Sequence, residues 1–175
     1  MDILSLMMII VPIILLILVI RTLSGKHQSV DVSSISLDNE ITRLRNGPHP
    51  DDYYLAEQRL AKIGETALPV LLGIVSDMTQ PGDFRSRALE TAANIGGAKL
   101  SDRLIQYATN DPVTYVRWNA IYQLGELHIK EALPLLKELA TSDDTKWVDP
   151  FGGSDMVSIK DVALKAISAI ERASN

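Results

Sequence analysis

The chain has 175 residues, a formal net charge of −5 and no cysteine. Without cysteine it has no disulfide framework, no thiolate metal site and no cysteine nucleophile. The acidic balance argues against a general nucleic-acid binder, because neutralising phosphates requires a surplus of Lys and Arg. Aromatic residues make up only 5% of the chain. A core must therefore come from Leu, Ile, Val and Ala, which favours helices over a β-sandwich.

The beginning of the chain is strongly aliphatic. From Ile3 to Ile20 there is no charged residue, and only Ser5 and Pro12 interrupt the apolar run. As a helix this run would span about 27 Å, close to the roughly 30 Å hydrocarbon core of a bilayer. We therefore predict a transmembrane anchor over residues 1–22, with the lipid bilayer as its partner.

A cleaved signal peptide and a buried helix of a soluble domain are the alternatives to an anchor. A signal peptide fits less well because Asp2 stands where a basic residue is expected, the apolar run is long and no A-x-A cleavage site follows. Arg21 and Lys26 follow the run, and positively charged flanks stay in the cytoplasm. We expect a single-pass membrane protein with the bulk of the chain in the cytoplasm.

A polar, serine-rich stretch over residues 23–37 has no clear period and predicts a flexible tether. Residues 38–45 then predict a short helix on the edge of a domain that spans residues 38–175. The apolar positions of this helix recur at helical spacing: Leu37, Ile41 and Leu44.

Beyond residue 50 the sequence repeats itself. The segment around Arg85 aligns with the segment around Arg117, 32 residues later. The same step backwards reaches Tyr53, which takes the place of the arginine in the first unit. After an insertion of about 11 residues, Lys160 takes that place in the last one. A small residue recurs at one position of three units: Ala56, Ala88 and Ala120.

This period predicts units over residues 51–80, 83–110 and 113–141, and a last helix over residues 157–173. Each unit contains two helices, and the second helix carries a proline in its first turn at Pro69 and Pro134, where the missing N–H costs nothing. No single hairpin can bury its apolar stripe, so the units must stack. We predict an all-α fold: a right-handed α-solenoid of about three hairpins with a C-terminal capping helix.

The run V-R-x-x-A-I-x-x-L-G from Val116 to Gly125 and the A-L-P-x-L-L starts of the second helices resemble HEAT repeats. The likeness is to the short bacterial type first associated with phycobilisome lyases, and it extends over residues 51–172. In that family an Asp of one turn bonds to an Arg of the next, so the resemblance implies a structural ladder. Its members here would be Asp111, Arg85, Arg117 and Lys160. Asp111 and Arg117, six residues apart, are the pair with the spacing seen in the family, and Tyr53 takes the place of the arginine in the first unit.

The insertion over residues 142–156 departs from the repeat. Insertions in solenoids form loops on one edge, and exposed aromatic residues dominate contact energies. Trp147, Asp149 and Phe151 are therefore candidate partner-binding residues; the alternative is that they fold back and cover the last helix. The carboxylates of the insertion do not follow a calcium-loop pattern and predict a solvated acidic loop without a metal. They are Asp143, Asp144, Asp149 and Asp155.

A second group of aromatic residues lies at i, i+3 and i+7 in the third unit, and side chains at this spacing share one face of a helix. These residues are Tyr115, Trp118 and Tyr122. Two interpretations are open. The stripe packs inside the core, or it forms a shelf for a ligand or partner.

The sequence lacks catalytic motifs. The three histidines are His27, His49 and His128, and none belongs to H-E-x-x-H. No G-x-S-x-G, Walker loop or dinucleotide fingerprint occurs. We expect a non-enzymatic protein without cofactor, metal or nucleic acid.

The favoured function is a membrane-anchored scaffold or adaptor that binds a protein partner. The resemblance supplies one alternative, a chromophore-lyase-like helper, by analogy of fold. An accessory structural subunit of a larger membrane complex is the other.

Overall fold

The structure, a computed structural model, describes residues 35–47, 49–148 and 156–174. Within these ranges the chain forms eight α-helices and two short strands. In chain order they are α1 (Leu37–Asn46), α2 (Pro50–Ile63), α3 (Leu68–Ser76), α4 (Gly82–Gly96), α5 (Ser101–Asn110), α6 (Thr114–Glu126), α7 (Leu133–Ser142), β1 (Lys146–Val148), β2 (Met156–Ser158) and α8 (Ile159–Arg172).

The turns between first and second helices follow from residues that tolerate a left-handed backbone. Gly64 and Gly97 adopt φ of 75° and 56° at the ends of α2 and α4. The third unit differs, because its left-handed residue is His128, with φ of 53°. Gly125 stays inside α6, where an added Cβ would lie 2.7 Å from the Cα of Ala166. That glycine therefore lets α8 approach α6 closely.

The helices pack as hairpins, but in a different frame from the predicted one. The second helix of each predicted unit packs on the first helix of the next, so that α3 pairs with α4, α5 with α6 and α7 with α8. Helix α1 pairs with α2 in the same way. The last helix is thus half of a hairpin and not a separate cap. The repeat in the sequence defines the length of one unit. It does not define which two consecutive helices pack together as a hairpin.

Helix α4 occupies the centre of the described domain. It packs against α1, α2, α3 and α6, and most of its side chains are buried, polar ones included. Its alanines allow neighbouring helices to come close. Its buried residues are Phe84, Arg85, Ser86, Arg87, Ala88, Leu89, Thr91, Ala92, Ala93 and Gly96.

An aspartate follows directly after each second helix and closes the turn. In each case one carboxylate oxygen accepts a hydrogen bond from the backbone N–H two residues later, which is the geometry of an Asx turn. The pairs are Asp77 with Thr79 (3.0 Å), Asp111 with Val113 (2.9 Å) and Asp143 with Thr145 (2.9 Å).

Two of these aspartates also bind an arginine of the preceding first helix. Arg85 donates to both carboxylate oxygens of Asp111, one at 3.2 Å, and its Nε donates to the carbonyl of Val75 at 2.8 Å. Arg117 donates to Asp143 at 2.9 Å. The first pair is fully buried, whereas the side chains of the second are 16% and 18% exposed.

The ladder therefore joins each of these two arginines to the aspartate 26 residues later. The predicted pair of Asp111 with Arg117 is wrong, because Asp111 binds Arg85 and Arg117 binds Asp143. Asp143 is a ladder residue, so its assignment to a solvated loop was wrong. Lys160 takes the arginine position in α8 but is exposed, and within the described ranges it has no ion-pair partner.

The insertion contains β1 and the first residue of β2, although a loop was expected. Lys146 pairs with Ser158 and Val148 with Met156 in an antiparallel register, and the N–H of Ile159 donates to the carbonyl of Thr145 at 3.0 Å. The hairpin thereby holds the start of α8 near the end of α7. Trp147 lies in β1, and its side chain is outside the described part.

Several predicted features lie outside the described residues. They are the anchor over residues 1–22, nearly all of the tether, His27, Asp149, Phe151 and Asp155. In the ranges that are described, every helix is too short or too polar to cross a bilayer.

The two ladder pairs allow a matched test. Asp111→Asn keeps the oxygen that caps the turn but removes the charge that faces Arg85, and leaving a buried guanidinium unpaired costs about 3–5 kcal/mol. Asp143→Asn makes the same change at a partly exposed pair and should cost about 1 kcal/mol or less. Urea denaturation followed by circular dichroism measures both. Equal losses of unfolding free energy would contradict the role given to burial.

Candidate binding face

The first helices of the repeats, α2, α4, α6 and α8, stack side by side. Residues at equivalent positions of these helices form a row across the stack: Gln58, Glu90, Tyr122 and Lys165. We call the surface around this row the first-helix face. It has three neighbouring parts: an acidic groove, an aromatic stack and a basic pocket.

The acidic groove is a cavity of about 280 Å³ between α2, α4 and α6. Tyr53, Tyr54 and Glu57 reach it from α2, because residues three and four apart share a helix face. Its full lining is Pro50, Tyr53, Tyr54, Glu57, Arg87, Glu90 and Tyr115. The groove therefore combines two carboxylates with three tyrosine rings and one guanidinium.

Hydrogen bonds fix the position of Arg87. Its Nη1 donates to the carbonyl of Leu44 at 2.8 Å, and its Nη2 donates to the carboxylate of Asp83 at 2.6 Å. The guanidinium also lies 4.1 Å from the centre of the Tyr53 ring, a distance typical of a cation–π contact. The guanidinium of Arg87 is thus already bound by groups of the same domain.

The two carboxylates of the groove have raised pKa values. Burial, followed by the charge of Glu90, raises the pKa of Glu57 from 4.5 to about 7, and Arg87 only partly offsets this. Burial also raises the pKa of Glu90, although a hydrogen bond with Asn119 opposes the shift. The pKa of Glu57 is therefore raised chiefly by its burial and further by its position beside a second acid.

The aromatic stack lies on α6. The Trp118 ring is 5.6 Å from that of Tyr122 with an interplanar angle of 2°, and 6.4 Å from that of Tyr115 with an angle of 28°. Trp118 packs partly against the core, whereas Tyr122 is 40% exposed. The predicted stripe is thus one continuous stack, with a side in the core and an edge open to solvent.

The basic pocket lies between α6 and α8 and has a volume of about 240 Å³. The small residues Gly125, Ala166 and Ala169 line it, and Lys165 and Arg172 bring positive charge. The complete lining is Tyr122, Gly125, Glu126, Val162, Lys165, Ala166, Ala169 and Arg172.

The three parts are continuous. Tyr115 lines the acidic groove and also belongs to the stack, and Tyr122 belongs to the stack and lines the basic pocket. Burial raises the pKa of Tyr122, and the charges of Glu126 and Glu90 add to the effect. Glu90 is therefore close enough to the stack to act on it electrostatically.

Tyr115, Trp118 and Tyr122 are the predicted site residues that the structure brings together. Glu57 and Glu90 belong to different helices and were not predicted as site residues. The repeat could have indicated Glu90, because it lies one repeat length, 32 residues, before Tyr122.

No cluster of potential metal ligands occurs among the described residues. His49 stands at the start of α2, where its backbone N–H donates to the carboxylate of Asp52 at 3.2 Å.

Comparison with known proteins supports the fold. Residues 79–149 match the family described as HEAT repeats, which confirms the repeat assignment for that part of the chain. A similar solved structure is the complex of CpcE and CpcF of phycocyanin lyase from Nostoc sp. PCC7120. The match has a TM-score of 0.58 and 23% identity, and covers 81% of this chain and 81% of that chain. No curated protein matches the chain in sequence.

The raised pKa of Glu57 predicts a pH effect on stability. Between its ordinary value of 4.5 and its folded value of about 7, the folded protein binds more protons than the unfolded chain. The free energy of unfolding therefore falls as the pH rises through this window. Glu57→Gln removes this contribution, which we put at about 1 kcal/mol after discounting for solvent screening.

Urea denaturation of the wild type and Glu57→Gln at about pH 5 and about pH 8 measures the effect. The variant should gain stability relative to the wild type at the higher pH. Glu138→Gln, which changes an exposed carboxylate on α7, is the control. Parallel pH profiles for wild type and Glu57→Gln would show that Glu57 titrates normally.

Proposed function

We propose that the protein is a chromophore-lyase-like helper that binds a linear tetrapyrrole on its first-helix face and acts together with a second protein. The observation that carries this proposal is the exposed aromatic stack beside the basic pocket. The similarity of fold to the CpcE and CpcF complex supports it. We assign it the role of a helper without catalysis of its own because the sequence contains none of the catalytic motifs considered above.

The chemistry of the face suits such a ligand. A linear tetrapyrrole is flat and conjugated and carries carboxylate side chains. Trp118 already stacks on Tyr115 and Tyr122, so the 40% exposed Tyr122 offers the ring face. One aromatic contact contributes about 0.5–1.5 kcal/mol beyond area burial. Lys165 and Arg172 lie next to Tyr122 and would pair with carboxylates. Because the chain has no cysteine, it would hold the chromophore without a thioether bond and pass it to another protein.

We further propose that residues 3–20 attach the protein to a bilayer, with the bulk of the chain in the cytoplasm. The aliphatic run without a charged residue and the following Arg21 and Lys26 support this. A membrane scaffold that binds a protein without a chromophore is the second candidate function, and the same run favours it.

Titration of the full chain with biliverdin, followed by absorbance, tests the chromophore proposal. We expect saturable binding that weakens about 10-fold in Lys165→Glu, because a carboxylate partner is lost and a like charge is introduced. Tyr122→Leu should weaken binding about 2- to 10-fold through loss of stacking.

Lys137→Glu is the matched control, since Lys137 is exposed on α7 and does not line the basic pocket. It should bind biliverdin as the wild type does. Absence of saturable binding, or equal weakening in both lysine variants, would refute the chromophore proposal and favour the scaffold.

Membrane attachment is tested by fractionating cells that express the full chain or a chain without residues 1–22. The full chain should stay in the membrane pellet after a high-salt wash, because salt screens charge contacts but does not extract an apolar helix. The shortened chain should move to the supernatant. A full chain found in the supernatant would contradict the anchor, and mass spectrometry showing a cleaved N-terminus would instead establish a signal peptide.

A further inference from the structure

The acidic groove has no part in the proposed binding of a chromophore, and its chemistry is opposite to that of the basic pocket. Glu57 and Glu90 line it from facing helices. Neither forms a salt bridge within the described part of the chain. Partly buried carboxylates that lack a salt-bridge partner are unfavourable, so a positively charged group from outside would be bound strongly here.

Arg87 meets this need only in part, because its charge lowers the pKa of Glu57 but does not offset burial and the charge of Glu90. Its guanidinium is held by Asp83, by the carbonyl of Leu44 and by the Tyr53 ring. With both carboxylates ionised, the groove therefore keeps an excess of negative charge. Charge complementarity selects a cation as its occupant.

The side chains that line the groove indicate which kind of cation it binds. Tyr54 is 60% exposed at its edge, and Tyr115 lines the opposite helix. Arg87 above Tyr53 shows that a guanidinium already stacks on a tyrosine of this groove. A guanidinium stacks on rings and binds carboxylates through two parallel hydrogen bonds, whereas an ammonium is a strongly hydrated point charge.

The groove is open to solvent, because Tyr54 at its edge is 60% exposed, and its volume is about 280 Å³. A long side chain can enter such a space while the rest of its owner stays outside. The proposed function already requires a second protein, and we therefore take the occupant to be a side chain of that protein.

We propose that the acidic groove binds an arginine side chain of the protein partner, with Glu57 and Glu90 accepting its hydrogen bonds and Tyr54 packing on its plane. The inference rests on the proposed partner but not on the proposed chromophore. It assigns the two ends of the first-helix face to different ligands. The acidic end holds the protein, and the aromatic and basic end holds the chromophore.

Nuclear magnetic resonance titration of the full chain in detergent solution tests the inference without the partner. The probes are N-acetylarginine amide, its neutral isostere N-acetylcitrulline amide and N-acetyllysine amide carrying a free ε-amine. The arginine probe should shift the backbone amides of Tyr54, Glu57 and Glu90 in a saturable way. Citrulline should bind at least about 10-fold more weakly because it lacks the charge.

Two variants complete the design. Glu57→Gln with Glu90→Gln should lose arginine binding at least about 10-fold, and Glu131→Gln with Glu138→Gln, which changes exposed carboxylates, should keep it. Equal binding of arginine and citrulline, or equal binding of arginine and lysine, would overturn the proposal. The citrulline comparison needs no variant, so misfolding of a variant cannot obscure the result.

Biliverdin titration of the Glu57→Gln, Glu90→Gln variant separates this inference from the proposed function. Unchanged biliverdin affinity with lost arginine binding supports two distinct ends. Loss of both ligands together would overturn the assignment of the groove to protein alone. Absence of biliverdin binding in the wild type would refute the chromophore proposal and leave the arginine result valid.

Discussion

The burial of Arg85 with Asp111 is the constraint on which the rest of the domain depends. A guanidinium in the core is tolerated only when a carboxylate and other acceptors meet it. Here Asp111 and the carbonyl of Val75 supply them. Because these partners come from the segment after α5 and from α3, only one rotation of α4 satisfies the pair. The ion pair thus selects one packing of the helices, although a well-packed apolar pair would also give stability.

The rotation of α4 in turn positions the binding face. Arg87 and Glu90 are on the side of α4 that faces α2 and the stack, while Arg85 reaches the ladder. Asn119 joins α4 to α6 by donating to the carbonyl and hydroxyl of Ser86 at 2.9 and 2.8 Å. Ladder and face are therefore two sides of one central helix. A change at the buried pair should disturb the face even though it touches no ligand.

Much of the fold could be predicted from the sequence because its causes are local. Helical periodicity, the early prolines and the recurring small residues predict the helices, and the spacing of Tyr115, Trp118 and Tyr122 predicts a shared face. The ladder partners could not be read from spacing. Asp111 is six residues from Arg117 along the chain but pairs with Arg85, because the choice depends on how helices pack.

The acidic groove could not be predicted from the sequence for the same reason. Glu57 and Glu90 belong to different helices and meet only when α2 stacks beside α4, and their pKa values shift only because of that burial. The strands β1 and β2 were missed because each has only three residues. A segment that short carries no measurable alternation and depends on its cross-strand partner.

Hydrogen–deuterium exchange of the backbone amides tests most directly whether α4 is the element on which the domain depends. Amides of a helix that is held by a buried ion pair and covered by its neighbours should open only with global unfolding. We predict that the amides from the second turn of α4 onwards exchange last, and that those of α3, whose outer side is exposed at Val70 and Gly73, exchange earlier. Exchange of α4 at the same rate as α3, or before it, would contradict the account.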